Sequence, residues 1–193
     1  MSAAATAAPL LEDPDLLGLV VEGNAAAFDA LFHRYYPAIH AFAYRLALCP
    51  AEADDIAQDT FVQAARSIAS FRGDASLKNW LYTIATNKSR DRRRQHVRRV
   101  LLGEELARLT DIESTSFHST TERAAHAAVR EALAGLSFDL REAIALVYYE
   151  GLNHAEAARI LCCAESTVSW RVFRAKHKLK KALCPSVASA RHD

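Results

Sequence analysis

The chain has 193 residues, of which 51% are apolar and 24% are charged, and its formal net charge is +1. This composition is typical of a protein with a buried core, and it argues against a chain that is disordered throughout. The near-neutral balance argues against a protein that coats nucleic acid indiscriminately, although it permits charges that are segregated along the chain.

The first predicted helix follows an N-terminal stretch, residues 1–19, that we expect to be a flexible tail. Asn24 is a favourable N-cap residue. Apolar residues then recur at steps of three and four, which predicts a helix with one buried side. These residues are Phe28, Leu31, Phe32, Tyr35, Ile39 and Phe42. Pro37 lies inside the run and predicts a kink or a break.

A second helix is predicted from about Ala51. It carries four acidic residues and no basic residue between Glu52 and Asp59. The helix dipole favours negative charge near an N-terminus. A face with this one sign of charge also indicates contact with a partner.

A loop is predicted over residues 71–76, and Ser76 is a suitable cap for a third helix. This helix runs into a basic stripe, with seven basic residues and one acid between Lys88 and Arg99. Clustered basic residues are the electrostatic mark of nucleic-acid binding. The three helices together predict one helical domain over residues 20–98.

Residues 99–123 lose the helical pattern and include a segment rich in hydroxyl side chains, so we expect a flexible linker there. A second helical domain is predicted over residues 124–183. Residues 184–193, which begin with Cys184 and Pro185, are expected to be disordered. The fold class is therefore all-α, with two small helical domains joined by a flexible linker.

Two capping boxes are predicted in the second domain, one from Asp139 with Glu142 and one from Asn153 with Glu156. The second box opens a short helix, which is followed by a turn at 162–164 and a longer basic helix. This spacing is typical of a helix-turn-helix, whose second helix presents its outer face to the major groove.

No catalytic set, metal site or cofactor site is evident in the sequence. Four cysteines are present without a C-x-x-C pair, and Cys162 and Cys163 are adjacent, which makes them poor disulfide partners. No signal peptide and no membrane-spanning run are recognisable. We expect a cytoplasmic, non-enzymatic protein without membrane insertion, cofactor or small-molecule substrate.

The ordered set of motifs resembles the extracytoplasmic-function sigma factors of RNA polymerase, over about residues 20–183. The first domain resembles region 2 of that family and the second domain resembles region 4. The matching strings are Phe28–Phe32, Ala53–Val62, Phe71–Asp74, Trp80–Arg92, Gly151–Ala158 and Ser166–Lys176.

The resemblance implies that the acidic helix docks on core RNA polymerase, through Asp54, Asp55, Gln58 and Asp59. It also implies that the first domain reads the −10 element of promoter DNA as a melted single strand. The implied −10 contacts are Phe71, Arg72, Asn87, Lys88, Arg90, Arg92 and Arg93. For Trp80 and Tyr82, a place in the core competes with contact to DNA.

In the second domain, the resemblance implies that the last helix binds the −35 element as duplex. The implied contacts are Glu165, Ser166, Thr167, Ser169, Trp170, Arg171, Phe173, Arg174 and Lys178. The family commonly carries a basic residue and a serine at the positions of Ser169 and Trp170, so the promoter sequence is left open. The resemblance further implies an anti-sigma factor as a partner.

Two other functions compete with promoter selection by a sigma factor. A helix-turn-helix regulator that binds a duplex operator without polymerase would explain the second domain but not the acidic helix. A helical adaptor that binds only protein would leave both basic stripes unexplained.

Overall fold

The structure is a computed structural model that describes residues 13–102 and 120–183, and these residues form helices joined by short turns and loops, with no strand among them. The first module contains α1 (Asp13–Val21), α2 (Ala25–Ala47), α3 (Pro50–Ser67) and α4 (Leu77–Leu101), with a 3-10 turn at Ile68–Ser70. The expected all-α class is confirmed. Most of the expected linker, residues 99–123, and the expected tail over residues 184–193 lie outside the described ranges.

The ends of α2, α3 and α4 follow the local signals in the sequence. The Asn24 side chain accepts a hydrogen bond from the Ala27 backbone N–H at 3.1 Å. The Ser76 hydroxyl accepts one from the Asn79 backbone N–H at 3.2 Å. Pro50 occupies the first turn of α3, where its missing N–H costs nothing. Both predicted caps are therefore confirmed.

The break that Pro37 predicts in α2 is absent, because one helix runs from Ala25 to Ala47. A proline inside a helix costs about 3 kcal/mol. Leu31 and Ile39, on either side of the proline, are both fully buried. Burying such side chains is worth roughly 1.5–3 kcal/mol each, which is enough to keep the helix continuous.

Part of the stretch expected to be an N-terminal tail is helical. Within α1, Leu16 and Val20 are four residues apart and both are buried against the core of the first module. These two side chains fix α1 on the bundle, although the helix is only nine residues long.

The second module contains α5 (Thr120–Ala134), α6 (Phe138–Ile144), α7 (His154–Leu161) and α8 (Glu165–Leu183). A π turn at Ala145–Tyr149 extends α6, and the Glu150 N–H donates to the carbonyl of Ala145 five residues earlier. The capping box predicted for Asp139 and Glu142 is wrong. Ser137 is the N-cap residue of α6, and the Glu142 side chain is fully buried in the contact with the first module.

The helix-turn-helix prediction is confirmed by α7, the turn and α8. The capping box at the start of α7 is complete, with Asn153 accepting from the Glu156 N–H at 2.9 Å and Glu156 accepting from the Asn153 N–H at 3.0 Å. Cys162 takes the left-handed conformation that ends α7, with φ of 53°.

The two modules pack against each other, which the sequence did not indicate. Helix α4 contacts α7, and α2 contacts both α6 and the π turn. One cluster of buried apolar residues runs through both modules, from Leu16 to Ala175. The basic part of α4 is consequently held beside the helix-turn-helix.

Candidate nucleic-acid interface

Helix α3 separates an apolar face from an acidic one. Ala53, Ile56 and Ala57 point into the bundle and are almost completely buried. The side chains of Asp54 and Asp55 are 53% and 54% exposed, and that of Asp59 is 46% exposed. Gln58 is also exposed. The four residues predicted to bind polymerase thus share one accessible surface, which we call the acidic face.

Two aromatic side chains of α2 support the acidic face at Asp54. Its carboxylate accepts a hydrogen bond from the Tyr36 hydroxyl at 3.3 Å and lies 3.0 Å from Nε2 of His40. The rings of Tyr36 and His40 stack on each other. Burial, together with the nearby negative charge of Asp54, raises the pKa of Tyr36.

Arg92 of α4 closes the other end of the acidic face. Its Nη1 lies 2.9 Å from Asp55 and its Nη2 lies 2.9 Å from Asp59. The hydrogen bond to Asp59 is the main reason why the pKa of Arg92 is raised above its ordinary value. In this arrangement the single positive charge of the guanidinium offsets part of the charge of two carboxylates and holds their spacing, so the face stays net negative.

The loop before α4 and the first half of α4 itself present both exposed and packed residues. Arg72 and Asn87 are exposed, and Lys88 is half-buried. Phe71 packs against Trp80, with ring centroids 5.4 Å apart, and both rings rest on the core. Tyr82 is fully buried. Of the two aromatics that the sequence left ambiguous, Tyr82 belongs to the core, while Trp80 lies at its edge.

The other two arginines predicted to contact the −10 element face the second module. Arg90 makes a two-pronged ion pair with Glu142, with distances of 2.7 and 3.0 Å. The guanidinium of Arg93 lies 5.0 Å from the centre of the Phe138 ring. The seven predicted −10 residues are therefore split between the outer surface and the contact between the modules.

Helix α8 has one apolar side and one outer side that is rich in aromatic and basic residues. Val168, Val172 and Ala175 are buried against the module. Trp170 is 58% exposed and Phe173 is 67% exposed. The remaining exposed residues of the predicted −35 set are Glu165, Ser166, Arg174 and Lys178. The arrangement leaves these six side chains free to meet a duplex.

The other three residues of the predicted −35 set, Thr167, Ser169 and Arg171, are partly buried. Thr167 is half-buried. The Ser169 hydroxyl donates to the Glu165 carbonyl at 3.1 Å and lies 2.8 Å from Nδ1 of His154. The Arg171 side chain is only 18% exposed and lies beside Asp139. These contacts fix α8 on the rest of its module.

One cation–aromatic pair near α8 was missed by sequence reasoning. Lys176 Nζ lies 5.1 Å from the centre of the Tyr148 ring, and Tyr148 is 54% exposed. Tyr148 lies in the π turn, so helical periodicity gave no indication that it would reach α8. The pair extends the basic and aromatic surface beyond the predicted residues.

The part of the chain that the structure describes contains no group of three or more side chains suited to holding a metal ion. Within the same residues, none of the helices has the length and apolar character that crossing a bilayer requires.

Comparison with known proteins gives one family for both modules. Residues 31–99 match sigma-70 region 2, and residues 126–179 match sigma-70 region 4. The ECF RNA polymerase sigma factor SigM of Mycobacterium tuberculosis is 34% identical over 171 residues, which cover 89% of this chain and 84% of that protein. The RNA polymerase sigma-H factor of Pseudomonas aeruginosa is 32% identical over 189 residues, which cover 93% of this chain and 97% of that protein.

Among solved structures, the sigma factor RpoE in complex with the anti-sigma factor NepR from Bartonella quintana has the same fold. Its TM-score is 0.70 and its sequence is 31% identical. The match covers 83% of this chain and 98% of that chain.

Proposed function

Because the chain belongs to the extracytoplasmic-function sigma factors, which direct RNA polymerase to promoters, we propose that its residues divide this function among three surfaces. The acidic face of α3 binds core polymerase. The loop before α4 and the start of its basic stripe bind the melted −10 element. The outer side of α8 binds the −35 element as duplex.

The acidic face supports the first role through its charge and exposure. Asp54, Asp55 and Asp59 place three carboxylates on one side of a helix, each about half exposed. Complementary charge across an interface speeds encounter and selects the partner. The partner surface on core polymerase should accordingly be basic.

The second role is supported by aromatic and cationic groups around the loop. Single-stranded nucleic acid is bound by aromatic platforms together with cations that follow the backbone. Phe71 and Trp80 form a partly exposed aromatic pair, Arg72 supplies charge next to Phe71 in the loop, and Lys88 supplies charge about two turns further along α4. Asn87 is exposed on the same helix and can hydrogen-bond to a base edge.

The third role is supported by the exposed residues of α8. This helix is the second helix of a helix-turn-helix, and its exposed residues include Arg174 and Lys178 for phosphates and Trp170 and Phe173 for apolar contact. In this motif the N-terminal residues of the second helix contact base edges in the major groove. Glu165 and Ser166 occupy those positions.

We further propose that the chain acts in the cytoplasm without carrying out a chemical reaction, since polymerase supplies the catalysis. A solved relative is bound by an anti-sigma factor. An anti-sigma factor for this chain would be expected to cover the acidic face or α8.

The test is transcription from a promoter library with purified core polymerase, in the presence and absence of the chain. We expect start sites that appear only when both are present, and that share −10 and −35 elements. Binding to duplex without any dependence on polymerase would favour an operator-binding regulator. Absence of nucleic-acid binding under both conditions would favour a protein-binding adaptor.

A further inference from the structure

A buried carboxylate links the two modules. Glu142 of α6 is 0% exposed, and its hydrogen-bonding side-chain partner is Arg90 of α4, whose side chain is 25% exposed. Arg90 also donates to the carbonyl of Leu161, at the end of α7, at 3.4 Å. A buried carboxylate needs a charged partner, and the partner of Glu142 comes from the other module.

A second carboxylate makes the same kind of contact at the other end of the boundary. Glu150 has a side-chain exposure of 7% and lies 2.9 Å from Arg45 of α2. It also accepts a hydrogen bond from the buried Tyr82 hydroxyl of α4. The guanidinium of Arg45 lies 4.4 Å from the centre of the Tyr149 ring, so this arginine is held from two sides.

Two further polar contacts lie along the boundary. Arg141 of α6 donates to the Leu46 carbonyl at the end of α2 at 2.8 Å. Asn79 of α4 lies 3.5 Å from Glu156 of α7. We refer to the contacts of Glu142, Glu150 and Arg141 with the first module as the latch.

The latch occupies groups that promoter binding requires. Arg90 and Arg93 belong to the proposed −10 surface, yet Arg90 pairs with Glu142 and Arg93 covers Phe138. The two promoter elements lie nearly two duplex turns apart, which is about 60–70 Å at roughly 34–36 Å per turn. Modules that touch through the latch cannot meet both elements at that separation.

We propose that the latch holds the free chain in a closed arrangement, and that binding to core polymerase and promoter separates the modules and releases Arg90 and Arg93. This inference rests on the proposed function of the two modules. It assigns Glu142 and Glu150 a regulatory role, because neither residue belongs to the proposed polymerase or DNA surfaces.

The first test measures the size of the free chain by small-angle X-ray scattering. A compact chain of this length has a radius of gyration of roughly 16 Å. We expect the wild type to be near that value and Glu142→Gln and Glu150→Gln to rise above about 20 Å as the modules separate. The matched control is Glu131→Gln, which alters an exposed acid of α5 and should leave the radius unchanged.

Circular dichroism of each variant shows whether the helices remain, and the two glutamates provide independent variants if one of them fails to fold. A wild-type chain that is already extended would overturn the proposal. Folded latch variants that stay as compact as the wild type would overturn it too.

The second test measures the apparent affinity for core polymerase. If only the open arrangement binds, apparent affinity is reduced by the fraction of open chains. Folded Glu142→Gln and Glu150→Gln should therefore bind several-fold more tightly than the wild type, and Glu131→Gln should not. If the latch variants scatter like the wild type and still start transcripts, the latch proposal is wrong while the proposed sigma function stands. If the variants open but start no transcripts, the latch proposal stands while the proposed sigma function is wrong.

Discussion

The carboxylate of Asp139 lies 3.5 Å from the guanidinium of Arg171. This contact distinguishes two arginines of α8 that the sequence treats alike. Arg171 is turned toward its own module, with 18% of its side chain exposed, whereas Arg174 is exposed on the outer side beside Trp170.

Arg174→Ala should reduce the dependence of −35 duplex binding on salt. Each phosphate contact that is lost lowers the slope of log affinity against log salt by about one. Arg171→Ala should leave the slope close to that of the wild type and lower the melting temperature instead. Fluorescence anisotropy at several salt concentrations separates the two effects. Equal slopes for Arg174→Ala and the wild type would contradict the assignment.

Neutralising the acidic face should weaken polymerase binding. Asp55→Asn combined with Asp59→Asn removes two carboxylates and should cost at least about tenfold in affinity, since close charge pairs across interfaces are worth roughly 1.5 kcal/mol or more. Glu52→Gln, which changes an exposed acid in the first turn of α3, is the control. Affinity for core polymerase is measured without DNA, so that a contact of the released Arg92 with DNA does not contribute to the result. A double variant that binds as well as the control would argue against docking.

Tyr82 should make the folded chain sensitive to alkaline pH. Burial raises the pKa of Tyr82 far above its ordinary value of 10.0, and the hydrogen bond to Glu150 adds to this shift. The unfolded chain loses the proton near pH 10 while the folded chain keeps it, so the free energy of unfolding falls as pH rises past 10. The loss should reach about 1.4 kcal/mol by pH 11.

The Tyr82→Phe variant should not show this fall in the free energy of unfolding at high pH. Thermal or urea unfolding at pH 8–11 measures it. Both proteins share every other titrating group, so the difference between their pH profiles isolates Tyr82. Parallel profiles would mean that the phenol is not protected in the folded chain.

Cys162→Gly should stabilise the helix-turn-helix. Cys162 has a left-handed φ of 53°, a conformation that costs an L-residue roughly 1–2 kcal/mol and that glycine adopts freely. After allowance for the greater flexibility of glycine when unfolded, we expect a gain of about 0.5–1 kcal/mol. The control is Cys163→Gly, which removes a side chain packed on the core and should lower stability. Chemical denaturation measures the free energy of unfolding of both variants. A change in the same direction for both would contradict the strain assigned to Cys162.

The features of the fold that depend on residues close together in the sequence could be predicted. The caps at Asn24, Ser76 and Asn153 form as their residue types require, because a cap is made within one turn. The turn between α7 and α8 also lies where its spacing indicates. Of the kink or break expected at Pro37, the break does not occur, because burial along the rest of α2 outweighs the local cost of the proline.

The contact between the modules could not be predicted from the sequence. Arg90 and Glu142 are 52 positions apart, and each has a plausible local role, as a phosphate contact and as a capping residue. Periodicity reports which side of a helix is buried but not which helix covers it. The same limit applies to Arg92, whose two carboxylate partners lie 37 and 33 positions away.

The π turn at Ala145–Tyr149 holds one residue more than an ordinary helical turn. Removing one residue from this turn would change the point from which Glu150 reaches Arg45 and Tyr82. Glu142 and Arg141 precede the turn, and their contacts with Arg90 and Leu46 would stay in place. A deletion of a single codon would thus weaken one part of the latch and leave the rest, so chains of this kind can diverge in how readily they open through a change in length alone.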